Sequence, residues 1–230
     1  MTPDGRLGRR TWPDVGRPIV VVPVGSCEQH GPHLPLDTDT VIATALADGL
    51  AERRTDCLVA PALSITASGE HAGFPGTLSI GSEITAGAVI ELARSADWAA
   101  GVVFVNGHGG NTTPMHRAAD VFEHERRHVL IWWPPRDRTA PPTDLHAGHV
   151  ETSLMLAIAP ETVRLERAVA GTTPPLVDLV NDGVRAHSSS GVLGDPGHAS
   201  AAAGARILER LIDRLVADVA RWSAGVDVGA

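Results

Sequence analysis

Four side chains able to hold a metal or move a proton crowd into Val24 to Thr40, VGSCEQHGPHLPLDTDT: Glu28, His30, His33 and Asp39. Glu28 and His30 lie two apart, so an extended backbone sends both from one face. Asp39 stands at the far end of the loop, beside a helix N-terminus that favours an anion. This loop alone offers three oxygen or nitrogen ligands, Glu28, His30 and Asp39. His108 follows in NGHGGN, and His146, His149 and Glu151 follow in LHAGHVE. A set rich in imidazole and carboxylate and poor in thiolate suits Zn, Mn or Fe. It exceeds one tetrahedral zinc, which takes four ligands including water. It fits two metals sharing a bridging carboxylate and a bridging water.

The elements around these residues share one layout. An apolar run over about 18–24 reads as a strand and leads into the first loop. A helix is expected over about 39–54, capped by Asp37 or Thr38. Leu58 to Pro61 reads as a second strand, followed by a long Gly/Ser/Thr-rich loop carrying Glu70, His71 and Phe74-Pro75-Gly76-Thr77. A helix from Ser82 to about Trp98 precedes a third buried strand, Gly101 to Val105, which His108 leaves. A helix over about 113–127 precedes a fourth strand, Val129 to Trp133. A proline-containing loop then reaches Asp144, and LHAGHVETSLMLAIA reads as a helix opening. Residues 161–197 show little pattern. An amphipathic helix over about 199–222 closes the chain, with Ile207, Leu211, Leu215 and Val219 at helical spacing. Short apolar strands alternating with helices predict an α/β domain whose mostly parallel sheet is covered on both faces. Such sheets bind ligands outside the carboxyl ends of their strands, where the candidate residues fall.

Composition sets the limits. A chain of 230 residues is expected to form one domain, 1–230, with its core over about 18–222. The net charge of −8 and the absence of a basic run argue against nucleic acid. No lysine is present, which excludes a Walker-type loop and Schiff-base chemistry, and no tyrosine is present to act as a phenolic acid. Cys27 and Cys57 are too few for a disulfide framework or a thiolate zinc site. No signal peptide or membrane-spanning run is read, so a soluble, cytoplasmic protein with no membrane partner is expected.

Blander readings claim some residues. His116, His124 and His128 sit on or beside a polar helix and read as solvated, and His187 and His198 stay at background. The glycines around His108 lack the G-x-G-x-x-G pattern of a phosphate loop; Gly109 and Gly110 instead let backbone pass close to a metal and substrate. Cys27 reads as a buried strand-end residue rather than a nucleophile. Ser26 and Ser68 lack a nucleophile elbow. Trp132-Trp133 reads as core.

On these residues the chain resembles the creatininase family of metal-dependent amidohydrolases. The resemblance rests on Glu28 to Leu36 with Thr38-Asp39, Glu70-His71 with Phe74 to Thr77, and Asn106 to Asn111. His146-Ala147-Gly148 with Glu151-Thr152-Ser153, and Gly191 to Pro196, complete it in family order over about 18–210. It implies a three-layer α/β/α fold, a dinuclear site that hydrolyses a C–N bond, and a homo-oligomer, often a hexamer. Glu28, His30, Asp39, His108 and Glu151 are then the metal ligands, with Asp39 the bridge. His146 becomes the acid/base serving the leaving nitrogen, and Zn the expected metal, with Mn or Fe as alternatives. Glu70, His71 and the Phe74–Thr77 turn either close over substrate or serve a subunit contact.

Creatinine-hydrolysing members carry a glutamate where Gly110 stands here, which turns the expectation away from creatinine. The wording VPVGSCEQHGPHLPLDTD most resembles the mycofactocin-system branch, which trims a radical-modified precursor peptide and releases its altered C-terminal Val-Tyr pair. A deformylase or amidohydrolase acting on a small cyclic or nucleotide-derived amide is the alternative within the family. A metal-binding scaffold without turnover is the alternative outside it.

Overall fold

The structure, a computed structural model, describes residues 5–136 and 143–224. In chain order it runs β1 (Ile19–Val24), α1 (Thr38–Arg53), β2 (Cys57–Val59), α2 (Gly81–Ser95), β3 (Gly101–Asn106), α3 (Thr112–His124) and β4 (Val129–Trp132). Then come α4 (His149–Ile158), α5 (Leu176–Asp182), α6 (Val184–His187) and α7 (Ala201–Trp222).

The strands form one parallel sheet in the order β2-β1-β3-β4, with Ile19 aligned to both Cys57 and Gly101, and Val102 to Val129. Every residue of β1 and β3 is buried, because both faces of the sheet are covered. Ile19, Val21, Val103 and Val105 face Leu46 and Leu50 of α1, Leu154 and Met155 of α4, and Leu211 and Leu215 of α7. Val20, Val22 and Phe104 face the other way, onto Val89 of α2 and Met115 and Phe122 of α3. Strand alternation thus divides the apolar side chains between two clusters and yields three layers, α/β/α. Burying each large aliphatic side chain contributes roughly 1.5–3 kcal/mol.

Helix α7 shows how local sequence sets the outer layer. The Ser200 hydroxyl accepts a hydrogen bond from the Ala203 amide and caps the helix. Ile207, Leu211, Leu215 and Val219 form its buried stripe, and Gly204 lets it settle on the Ser153 carbonyl of α4.

Strand order also fixes where a site can lie. From β1 the chain crosses to β2 on one side, and it returns to β3 on the other. The switch point is therefore the crevice between the carboxyl ends of β1 and β3. The loops holding Glu28 and His108 leave from those ends.

Several local expectations need correction. Asp37 occupies the N-cap position of α1, but its side chain makes no capping bond; the Thr38 hydroxyl, inside the helix, donates to the Pro35 carbonyl at 2.7 Å. Helix α4 begins only at His149, because Ala147 adopts a positive φ of 51° that no helix tolerates. His146 precedes the helix and pairs with Leu193: Leu193 N–H donates to the His146 carbonyl at 2.9 Å, and His146 N–H returns to Leu193 O at 3.1 Å. The patternless 161–197 region thereby acquires a task, holding the His146 backbone. The segment before β1 packs onto the domain, since Gly5 O accepts from Val59 N at 2.7 Å and Arg6 pairs with Asp48 at 2.5 Å. His128 is half-buried and stacked on Trp222, with ring centroids 3.9 Å apart. Most of the expected loop before Asp144 lies outside the described residues. Among the described residues no helix is long and apolar enough to cross a membrane.

Candidate metal centre

The β1 loop turns back on itself so that its polar side chains point inward. The Glu28 amide donates to the Leu36 carbonyl at 2.9 Å, which closes the loop over Glu28 and His30. His30 Nδ1–H donates to the Glu28 carbonyl at 3.1 Å, which turns Nε2 toward Asp39 Oδ1, 3.1 Å away. Asp39 reaches this point from the first turn of α1, steadied by a 2.7 Å hydrogen bond from the Ser26 hydroxyl to Oδ2.

The β3 loop arrives across the crevice. Gly107 permits the approach, because a Cβ there would lie 2.6 Å from the Asp39 carbonyl oxygen. His108 then stands with Nδ1 3.0 Å from Asp39 Oδ2 and Nε2 3.2 Å from Glu28 Oε2. Asn106 braces the loop by donating to the His108 carbonyl at 2.8 Å.

The third contribution precedes and opens α4. Asp144 accepts from the amides of His149 and Val150 at 2.7 and 2.9 Å, capping the helix. Glu151 Oε2 accepts from the Ala147 amide at 2.6 Å and lies 4.0 Å from His30 Nε2. His146 Nε2–H donates to the Gln29 carbonyl at 2.7 Å, so its Nδ1 is the unprotonated nitrogen, 3.8 Å from Glu28 Oε1.

Among the described residues three overlapping groups able to hold an ion result: Glu28, Asp39 and His108; His30, His146 and Glu151; and Glu28, His71 and His146. Five residues expected as ligands, Glu28, His30, Asp39, His108 and Glu151, thus come together with His146. Glu70 Oε1 lies 3.6 Å from His108 Nε2, and His71 Nε2 lies 3.4 Å from Glu28 Oε1. Gly110 packs against Glu70 and His108, whereas Gly109 is exposed with open space before it. His149 belongs to none of these groups; as the first residue of α4 it is only half-buried. His33 turns away as well, its Nε2 2.9 Å from the Thr152 hydroxyl of α4.

The charge balance of the centre fits a cation. Glu28 is fully buried, and neither carboxylate oxygen has a hydrogen-bond partner, although imidazole nitrogens stand 3.2 and 3.4 Å away. A buried carboxylate in that condition is costly unless a positive charge meets it. Burial opposes charge on His30, but Asp39, Glu151 and Glu28 outweigh it and push that imidazole up to about 10. The same contest, burial against Glu28 and Asp39, raises His108. Burial, with like charge from His30 and His71, holds His146 well below the usual histidine range, so it is neutral. Burial and the nearby Asp39 carboxylate, opposed by His30, bring Glu151 up to about 7.

Sequence reading missed Gln29. Gly31 N–H donates to Gln29 Oε1 at 2.8 Å, which fixes the amide orientation. Its NH₂ group then donates to His71 Nδ1 at 2.8 Å and to the Gly191 carbonyl at 3.1 Å. Strand-like alternation would aim Gln29 away from Glu28 and His30, and the turn of the loop cancels that alternation. Asp144 was legible in principle, as an acid ahead of an apolar helical run.

The fold and this centre place the chain among metal-dependent α/β/α hydrolases. The chain belongs to the creatininase family, whose model, creatinine amidohydrolase, matches residues 9–219. A mycofactocin precursor peptide peptidase from Mycobacterium tuberculosis is 48% identical over 234 residues, covering 95% of this chain and 92% of that protein. A mutant creatininase of Zn–Zn type superposes with a TM-score of 0.84 at 27% identity, covering 96% of this chain and 98% of the other. A manganese creatininase does so with a TM-score of 0.84 at 28% identity, covering 95% and 98%.

Proposed function

We propose that this chain is a dinuclear metal-dependent peptidase that cleaves an amide bond in a small modified peptide. The substrate we assign is the mycofactocin precursor peptide, with its altered C-terminal Val-Tyr pair as the product. The observation that carries the two-metal reading is Asp39. Its two oxygens are divided between His30 and His108, imidazoles that belong to two neighbouring groups. Glu28 and His108 would hold one ion with Asp39, and His30 and Glu151 would hold the other. Zinc is the metal proposed, with Mn or Fe able to use the same donors. Similarity to the peptidase of Mycobacterium tuberculosis supports the substrate class.

When bound, two such ions acidify a water and polarise the carbonyl that it attacks. The side chains of the chain itself supply the proton traffic and the fit. His146 is held in one tautomer by the Gln29 carbonyl, and its unprotonated Nδ1 faces the centre. It takes the proton that the attacking water gives up and delivers it to the departing nitrogen. A step of this kind is worth roughly 10²–10⁴-fold. His71, Gly109 and Gly110 are the residues we assign to substrate contact. Beside His146 and Glu151 a cavity of about 240 Å³ is lined by Ile42, Leu145, Val150, Leu154, Ile207 and Leu211. The lining is mainly apolar but also carries Arg136, Asp144 and Glu151, a mixture that suits a peptide segment. We assign the protein to the cytoplasm as a homo-oligomer, a hexamer by family resemblance. The exposed Leu78, Ile80 and Ile84 are apolar surface fit for a subunit contact.

The test is incubation of the metal-loaded protein with the modified precursor peptide, followed by mass spectrometry. Release of the C-terminal fragment by wild type and not by Glu28→Ala supports the reading. An intact peptide with a fully metallated enzyme would redirect it to another amide.

A further inference from the structure

Four oxygen atoms crowd the Nε2 atom of His108. The Ala67 carbonyl lies 2.8 Å away, Glu28 Oε2 3.2 Å, the Ser68 hydroxyl 3.5 Å and Glu70 Oε1 3.6 Å. One N–H can satisfy only one of them. Two of the four belong to carboxylates, and Asp39 approaches the same imidazole from its other nitrogen at 3.0 Å. Three carboxylates around one buried imidazole repel one another unless more positive charge stands between them. Both oxygens of fully buried Glu28 remain without a hydrogen bond and point into this cluster.

Glu70 differs from the others in its origin. It rides on the single turn Gly69–His71 in the long loop after β2, while Glu28 follows β1 and His108 follows β3. Its carboxylate occupies the space before Gly110, where a Cβ would collide with Glu70 Oε1 and His108 Nε2 and would lie 2.6 Å from the Ala67 carbonyl. The absence of a side chain at position 110 is therefore what admits Glu70 to His108. With 27% of its side chain exposed, Glu70 also lies on the solvent side of the cluster, where an ion can enter.

We infer that Glu70 is a metal ligand, completing the site of Glu28, Asp39 and His108 from the loop after β2, and that Gly110 makes room for it. This rests on the two-metal reading above and deepens it: the ion on the β3 side is held by three carboxylates and one imidazole. A donor set with that much oxygen binds a harder ion than the His30 side does.

The experiment is a Zn(II) titration of wild type, Glu70→Ala and Glu70→Gln against a chromophoric chelator, with metal content counted after passage through metal-free buffer. Wild type holds two ions per chain; Glu70→Ala holds one tightly and binds the second at least about a hundredfold more weakly. That exceeds the roughly 10–100-fold effect of an outer partner of a ligand. Glu70→Gln keeps the side-chain shape, and an unchanged melting temperature of its metal-free form shows that the loop is intact. Two ions retained in Glu70→Ala, or a loss under about a hundredfold, would overturn the ligand role and leave Glu70 facing substrate. Fewer than two ions on wild type would instead sink the two-metal reading itself.

Discussion

Asp39 Oδ2 stands 3.0 Å from Nδ1 of His108, joining the first turn of α1 to the end of β3 across the crevice of the sheet. Its other oxygen is 3.1 Å from His30 Nε2. A residue so placed holds both halves of the centre, whereas Glu151 meets only the His30 half. Asp39→Ala is therefore expected to lose both ions, and Glu151→Ala to lose one. Metal analysis of the two purified variants decides; a single ion lost from Asp39→Ala would remove the bridge.

His146 should separate binding from turnover. Its Nε2–H is committed to the Gln29 carbonyl and its Nδ1 faces the centre. His146→Ala is expected to keep both ions and lose roughly 10²–10⁴-fold in kcat. Loss of an ion with the fold intact would make His146 a ligand.

His33 supplies a pH test apart from catalysis. Burial, reinforced by charge on His30, lowers its imidazole to about 4 from an ordinary value of 6.5. The folded state thus binds this proton less readily than the unfolded chain. Its contribution to stability is complete above pH 6.5 and is lost as pH falls through about 4. His33→Gln removes the titration while keeping a group able to reach Thr152. Urea midpoints between pH 6.5 and 4 should fall less steeply in the variant than in wild type; parallel curves would exclude His33 as the cause.

The two thiols should differ in reactivity. Burial, with Asp56 beside it, pushes the Cys57 thiol up to about 12, so it stays protonated at neutral pH. Cys27 is half-buried, its sulfur 3.7 Å from the Gly76 carbonyl. A disulfide reagent should label Cys57 only after unfolding. Labelling of Cys57 in the native protein at the rate of a free thiol would contradict its place in the core.

Leu215 is fully buried where α7 meets the sheet. Leu215→Ala should cost about 2–5 kcal/mol, read from the urea midpoint and slope. A cost below about 1 kcal/mol would mean that α7 packs loosely there.

Much of this architecture was legible in the chain because strand-to-loop transitions carry strong local signals. The apolar runs of β1 and β3 are fully buried, and each ends in the polar loop that enters the switch point. Parallel order then follows from strand–helix alternation, and Glu28, Asp39 and His108 follow from parallel order. The periodicity of α7 marked its buried stripe for the same local reason.

What escaped was non-local. Nothing in the spacing of LHAGHVE announces the positive φ of Ala147, which delays α4 to His149 and leaves that histidine outside the ligand groups. The pairing of His146 with Leu193 joins segments far apart in sequence, and 161–197 has no periodicity that would reveal it. Gln29 was invisible because its partners, His71, His146 and Gly191, come from three other loops.

The most direct test of the central claim is metal stoichiometry on purified protein, wild type beside Glu28→Ala, after reconstitution with Zn(II) and removal of free ion. Two ions per chain in wild type, with at least one lost in the variant while the circular dichroism spectrum holds, is the predicted result. No bound ion in wild type after careful reconstitution would contradict the whole account of the site.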